Sequence, residues 1–142
     1  MGHMIEFRPA RLPDIPAIVR FQPRKLWKGI VTQVRSHPAW TLCLDGAPQL
    51  IVGVVPYTAG VLELWMFFAP GFSRAPRFKS MMRLCLMHGA TVCPDHILLA
   101  RIDDRNAPSR KMAELVGFVP MEEHLPGTTI RTWIRPALDA ET

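Results

Sequence analysis

The chain has 142 residues, of which 49% are hydrophobic and 20% charged, a length and balance that exclude a disordered tail or a coiled coil and match one domain. Three cysteines without paired C-x-x-C spacing exclude a disulfide scaffold and a zinc ribbon and fit a reducing, cytoplasmic compartment. Seventeen Lys and Arg against twelve acids give a net charge of +5 and a pI near 9.6, which favours an anionic partner such as nucleic acid or a phosphorylated cofactor.

Met1-Gly2-His3 reads as an expression remnant, so a single domain is expected over residues 4–142. Ile5-Glu6-Phe7-Arg8 alternates as a strand. Leu12 to Val19 opens a helix whose prolines fall in the first turn. A basic helix is predicted from Arg24 to about Ser36, with Leu26, Ile30 and Val34 on one face. Trp40 to Leu44 is a strand ending at the turn Asp45-Gly46. Pro48 to Phe72 carries one charge, Glu63, and is long enough to span a bilayer. Gly53, Pro56 and Thr58-Ala59-Gly60 interrupt it, however, and it reads as two strands, Leu50–Val55 and Val61–Phe68.

A helix with a Met-rich stripe is predicted from about Ala75 to His88, stopped at Gly89. His96 to Ile102 is a buried strand, and its helical connection to the preceding strand implies a parallel pair. Pro108 to Val116 is a helix closed by Gly117, followed by strands Phe118–Met121 and Thr128–Ile134 around Pro126-Gly127. The predicted order is β-α-α-β-β-β-α-β-α-β-β.

This order, the opening Arg8-Pro9-Ala10 before a helix, and the late stretch Asn106-Ala107-Pro108-Ser109 through Gly117-Phe118 together resemble the Gcn5-related N-acetyltransferase (GNAT) superfamily, over nearly all of residues 4–135. The Trp-containing strand and the Asn-x-x-Ser form of the late helix are also similar to small GNAT-like proteins of tailed bacteriophages, for which host cytoplasm or virion is the expected location. The resemblance implies an α+β fold with a mixed, mostly antiparallel central sheet of about seven strands and helices on both faces. It implies transfer of acetyl from acetyl-CoA to an amine on a small molecule or protein. The backbone of Met66, Phe67 and Phe68 would pair with the pantetheine arm as a strand edge pairs with a peptide, and Asn106 and Ser109 would contact pantetheine or bound water.

Two departures from the family pattern matter. The pyrophosphate loop of the family carries glycines, whereas here Ser73-Arg74-Ala75-Pro76-Arg77-Phe78 sets Pro76 and Phe78 at those positions. Phosphate would then rest on Arg74, Arg77 and Lys79 side chains, or this is simply a solvated basic loop. Counting back from Gly117-Phe118 puts the family's acid tyrosine at Ala113, where restoring Tyr is expected to do little or help slightly. Glu63 remains as a candidate base, since apolar neighbours Leu62, Leu64 and Trp65 favour a neutral acid at higher pH; the alternative is a solvent-facing Glu. A catalytically degenerate binding or virion-associated protein is the rival reading.

Two further constellations are weighed. Cys85 and His88 share a helix face, but Cys93 lies past the expected stop at Gly89, so no metal site is predicted. Arg20, Arg24, Lys25, Lys28 and Arg35 with Phe21 and Trp27 would suit single-stranded nucleic acid or an acidic acceptor, or form a solvated face with Trp27 turned inward.

Overall fold

The computed structural model describes residues 4–19, 24–74, 77–92 and 95–137. In chain order the elements are β1 (Ile5–Pro9), α1 (Asp14–Val19), α2 (Arg24–Ser36), β2 (Ala39–Leu44), β3 (Ala47–Thr58), β4 (Val61–Phe68), a 3-10 turn (Phe72–Arg74), α3 (Phe78–Val92), β5 (Ile97–Asp103), α4 (Ala107–Leu115), β6 (Val119–His124) and β7 (Ile130–Arg135). The strands make one seven-stranded sheet in the order β1-β2-β3-β4-β5-β7-β6. β4 and β5 run parallel, with Val61, Leu62 and Glu63 opposite Ile97, Leu98 and Leu99. β1–β2, β2–β3, β5–β7 and β6–β7 are antiparallel. This is the mixed, mostly antiparallel α+β sheet that the resemblance implies.

The chain divides into two compact units, Met1–Val55 with Trp65–Met81 and Pro56–Leu64 with Met82–Thr142. In the first, Ile15, Ile18, Val19, Ile30 and Ile51 form a core joined by Leu26, Trp27, Val34, Trp65 and Phe67. The i, i+4, i+8 spacing of Leu26, Ile30 and Val34 turns one stripe of α2 inward, while Lys25, Lys28 and Arg35 stay exposed. Fully burying a side chain such as Leu42 or Leu50 stabilises the fold by roughly 1.5–3 kcal/mol. Asp45 (φ 52°) and Gly46 (φ 84°) close β2 onto β3 in the mirror-image turn whose twist suits a hairpin. Gly53 is where Trp65 lies across the backbone: a Cβ there would stand 2.4 Å from Trp65 Cζ2.

A buried ionic knot ties β1, α1 and β2. Asp14, the first residue of α1, is 4% exposed. It accepts two bonds from the Arg8 guanidinium at 2.8 and 2.9 Å, one from Thr41 Oγ1 at 2.7 Å, and one from the Arg11 N–H at 2.8 Å. Burial pushes its carboxyl upward, but these donors outweigh burial and hold it below the ordinary range.

In the second unit β5 buries Leu98, Leu99 and Ala100, and α4 buries Met112 and Ala113. Asn106 Oδ1 accepts the Ser109 N–H at 3.2 Å, capping α4. The helix ends at Gly117 (φ 94°), with Phe118 N–H donating to Ala113 O, the left-handed stop expected of that glycine. All six residues of β6 are exposed. Its register slips between Pro120 and His124, where Arg131 Nη1 donates to the carbonyls of Met121 and Glu122 at 2.8 and 2.6 Å.

Several boundaries differ from the sequence reading. β3 extends from Ala47 to Thr58, because the hairpin turn carries pairing through Pro48, with a register shift at Leu42/Cys43. α3 begins at Phe78 and runs through Gly89 to Val92. A glycine weakens a helix by about 1 kcal/mol, which is too little to end one, and the stop expected at Gly89 is not made. Pro76 and Cys93 lie outside the described residues.

Candidate functional site

The first unit carries the candidate ligand segment. Met66, Phe67 and Phe68 are half-buried on β4. Trp65 and Phe67 turn to the core, while the Phe68 ring stacks on Phe72 at 5.3 Å and Phe72 meets Phe78 edge-on at 5.2 Å. Phe78, at one of the family's glycine positions, therefore packs into this aromatic stack. Arg74 and Arg77 are both exposed. Arg77 has φ 65° and its carbonyl accepts the Met81 N–H at 2.9 Å, so it caps α3 in the left-handed region. That is the conformation a glycine would hold more readily. The loop's glycine-like residue is thus Arg77, with Phe78 playing a packing part.

The second unit carries the candidate base. The Glu63 side chain is 28% exposed, and its Oε2 lies 3.7 Å from Nη1 of Arg101 on β5. It is neither enclosed by apolar groups nor free in solvent, the two surroundings expected for it. The Arg101 guanidinium sits 5.6 Å over the Tyr57 ring. Asn106 and Ser109 belong to this unit too, and the Asn106 carbonyl oxygen is committed to the helix cap. Ala113, at the position counted for the family's tyrosine, is 6% exposed. A phenol there would be driven into the core, so the expectation that Ala113→Tyr is harmless is withdrawn.

Sequence reasoning missed a polar cluster where β5 leaves the sheet. Asp103 accepts from Arg105 Nε (3.0 Å) and Nη2 (2.8 Å) and from Thr129 Oγ1 (2.9 Å). Asp104 pairs with Arg131 and with His124 Nε2. Bonds from Arg105 hold the Asp103 carboxyl, and bonds from Arg131 and His124 the Asp104 carboxyl, well below the usual range. A cavity of about 580 Å³ opens beside them, lined by Asp103, Arg105, His124 and the β6–β7 turn. The signal was the doublet Asp103-Asp104 directly after an apolar strand, but its partners come from β6 and β7.

The structure places part of the other two constellations. Trp27 packs inward and its Nε1 donates to Val19 O at 2.7 Å, which removes it as a base-stacking platform. Arg20 and Phe21 lie outside the described residues. Desolvation pushes the Cys85 thiol up to about 12, the opposite of a ready metal ligand. No group of three metal-ligating side chains occurs among the described residues. No helix among them is long and apolar enough to cross a membrane.

Comparison with known proteins places the fold. No protein-family profile and no curated protein matches the chain. Among solved structures it is similar to yncA from Salmonella typhimurium, described with its cofactor acetyl-CoA, at 15% identity and TM-score 0.66, covering 97% of this chain and 96% of that one. It is similar to an acetyltransferase from Streptococcus agalactiae at 11% identity and TM-score 0.69, over 96% and 99%. A mutant of the spermidine N-acetyltransferase SpeG from Vibrio cholerae matches at 11% identity and TM-score 0.64, over 92% of each chain. At these identities the likeness defines the fold, which is that of the GNAT acetyltransferases.

Proposed function

We propose that the chain is an acetyl-CoA-dependent N-acetyltransferase acting on a primary amine by direct attack. The observation that carries this is the seven-stranded sheet with its parallel β4–β5 pair, which matches end to end a solved structure described with acetyl-CoA. Met66 to Phe68 would offer backbone to the pantetheine arm and a backbone N–H to the developing oxyanion. Arg74 and Arg77 would hold the diphosphate through charge-assisted bonds. The amide nitrogen of Asn106 and the Ser109 hydroxyl would meet the thioester arm or its water. Glu63 would take the proton from the attacking amine, directly or through water. The thiolate needs little acid help, since a thiol pKa of ~8.5 makes it a tolerable leaving group, so the absence of tyrosine at Ala113 is survivable.

Calorimetry with acetyl-CoA and CoA, followed by thiol release across a panel of amines and pH, tests the reading. Weak binding, in the high-micromolar range or poorer, with amine-dependent release supports it. A second reading, a binding or virion-associated protein on a catalytically degenerate fold, is favoured by the buried Ala113 and the glycine-free loop. Failure to bind acetyl-CoA together with no release from any amine would establish that reading instead.

A further inference from the structure

The basic helix α2 takes no part in the roles above, and the charge of the chain is concentrated in its unit. Met1–Val55 with Trp65–Met81 holds ten Lys and Arg against three acids, a net charge of +7. The second unit holds seven against nine, a net charge of −2. All three acids of the first unit are engaged elsewhere: Asp14 and Glu6 by Arg8, and Asp45 by the Met4 N–H. α2 itself contains no Asp or Glu. Its exposed residues Lys25, Lys28, Thr32 and Arg35 recur at i, i+3, i+7 and i+10, which puts them on one side of the helix. Gly29 and Ser36 complete that side, while the Leu26, Ile30 and Val34 stripe packs into the core. From Lys25 to Arg35 the three cations run along about 15 Å of helix. None of them makes an ion pair among the described residues.

We propose that this side of α2 docks a nucleic-acid duplex through its phosphates, without reading the bases. Cations with no local counter-charge attract polyanions, and the composition of the face selects which one. An acidic protein would need apolar or aromatic anchors among the charges, and Lys25, Lys28, Gly29, Thr32, Arg35 and Ser36 supply none. A lipid surface takes up the apolar face of a helix, and that face of α2 is buried. Single strands are held by stacking on exposed aromatics, whereas Trp27 is turned inward and bonded to Val19 O. Duplex phosphates need only spaced donors and positive charge, which this face has. The Thr32 hydroxyl is bonded to Lys28 O, so the three cations make the contacts.

Fluorescence anisotropy of a labelled DNA duplex of about 24 base pairs, titrated with the full chain between about 25 and 200 mM KCl, tests the proposal. Three phosphate contacts give a log–log salt slope of about −2.7, so affinity falls roughly 300-fold over that range. Two duplexes of unrelated sequence bind alike. Lys25→Gln, Lys28→Gln and Arg35→Gln together make the slope shallower by about 2.7. A control carrying Arg83→Gln, Arg110→Gln and Lys111→Gln removes the same charge from exposed positions of the second unit and keeps the parent slope. Urea midpoints equal to the parent's show that both variants fold. No duplex binding at the lowest salt, or equal losses in the two triple variants, overturns the proposal. Labelled poly-L-glutamate bound as tightly as the duplex also overturns it, in favour of an acidic protein partner.

Discussion

Gly53→Ala is expected to be among the most damaging single-methyl additions to this chain. The new Cβ would lie 2.4, 2.5 and 2.7 Å from Cζ2, Cε2 and Nε1 of Trp65, where ordinary contact is 3.4–4 Å. The indole cannot step aside cheaply, because it packs against the Ile15, Ile18, Val19, Ile30 and Ile51 core and beside the Phe67 ring, 6.1 Å away. Overpacking of a core costs about 1–3 kcal/mol, and an overlap of this depth with a rigid ring belongs at the upper end. The lower conformational entropy of alanine in the unfolded chain returns about 0.4–1 kcal/mol. A net loss of about 2 kcal/mol is therefore expected, which lowers the urea midpoint by about 1 M for a slope of ~2 kcal/mol per molar. Equilibrium urea unfolding followed by far-UV circular dichroism measures it. In a Trp65→Leu background the same methyl meets a smaller, more flexible side chain, so the double-mutant cycle should show a coupling of at least about 1 kcal/mol. Equal cost in both backgrounds, or a cost below about 0.5 kcal/mol in the parent, would refute the assignment of Trp65 as the obstacle.

Asp14→Asn breaks a buried ion pair and should destabilise by about 3–5 kcal/mol. Because Asp14 titrates below its ordinary value of 3.8 in the folded chain, its contribution is complete above that value and is lost as pH falls through the folded one. Urea unfolding from pH 7 downward should show an acid decline in the parent that is smaller in Asp14→Asn; parallel declines would contradict the linkage. Arg77→Gly relieves a left-handed arginine and should raise stability by about 1 kcal/mol, while calorimetry should show weaker acetyl-CoA binding if the guanidinium holds phosphate. Glu63→Gln should lower turnover in the thiol-release assay by roughly 10²-fold, and unchanged turnover removes the base assignment. Ala113→Tyr should lower the urea midpoint, costing about 1–3 kcal/mol, and a parent-like midpoint would show room at that position.

What could be read without coordinates follows a physical division. The bounds of β4 were legible because Val61 to Phe68 is apolar but for Glu63 and is bracketed by Gly60 and Ala69-Pro70. The end of α4 was legible because Gly117 is a cap residue whose role is local. The start of α3, expected near Ala75, lies at Phe78 because the backbone turns at Arg77 through a conformation that arginine seldom adopts. Gly89 was misread because helix propensity is a weak prior that packing overrides. For the site, Glu63 stands out as the one charge in a long apolar stretch, but its surroundings depend on strand register, which no local pattern encodes. The same holds for Asp14. Its place at a helix start was visible, yet its burial is made tolerable by Arg8 and Thr41 from two strands.

The slipped register of β6 has a consequence for the way copies of the chain meet. A strand at the margin of a sheet normally offers a ladder of free carbonyls and N–H groups onto which a neighbour's strand can zip. Here Pro120 has no N–H to give, and the carbonyls of Met121 and Glu122 are already bridged by Arg131 from within. Glu122 and Glu123 add like charge to any second copy that approaches in the same way. The margin is thereby a poorer template for strand addition than a regular edge strand. Replacing that one arginine would free the two carbonyls it bridges, beside exposed Val119 and Met121.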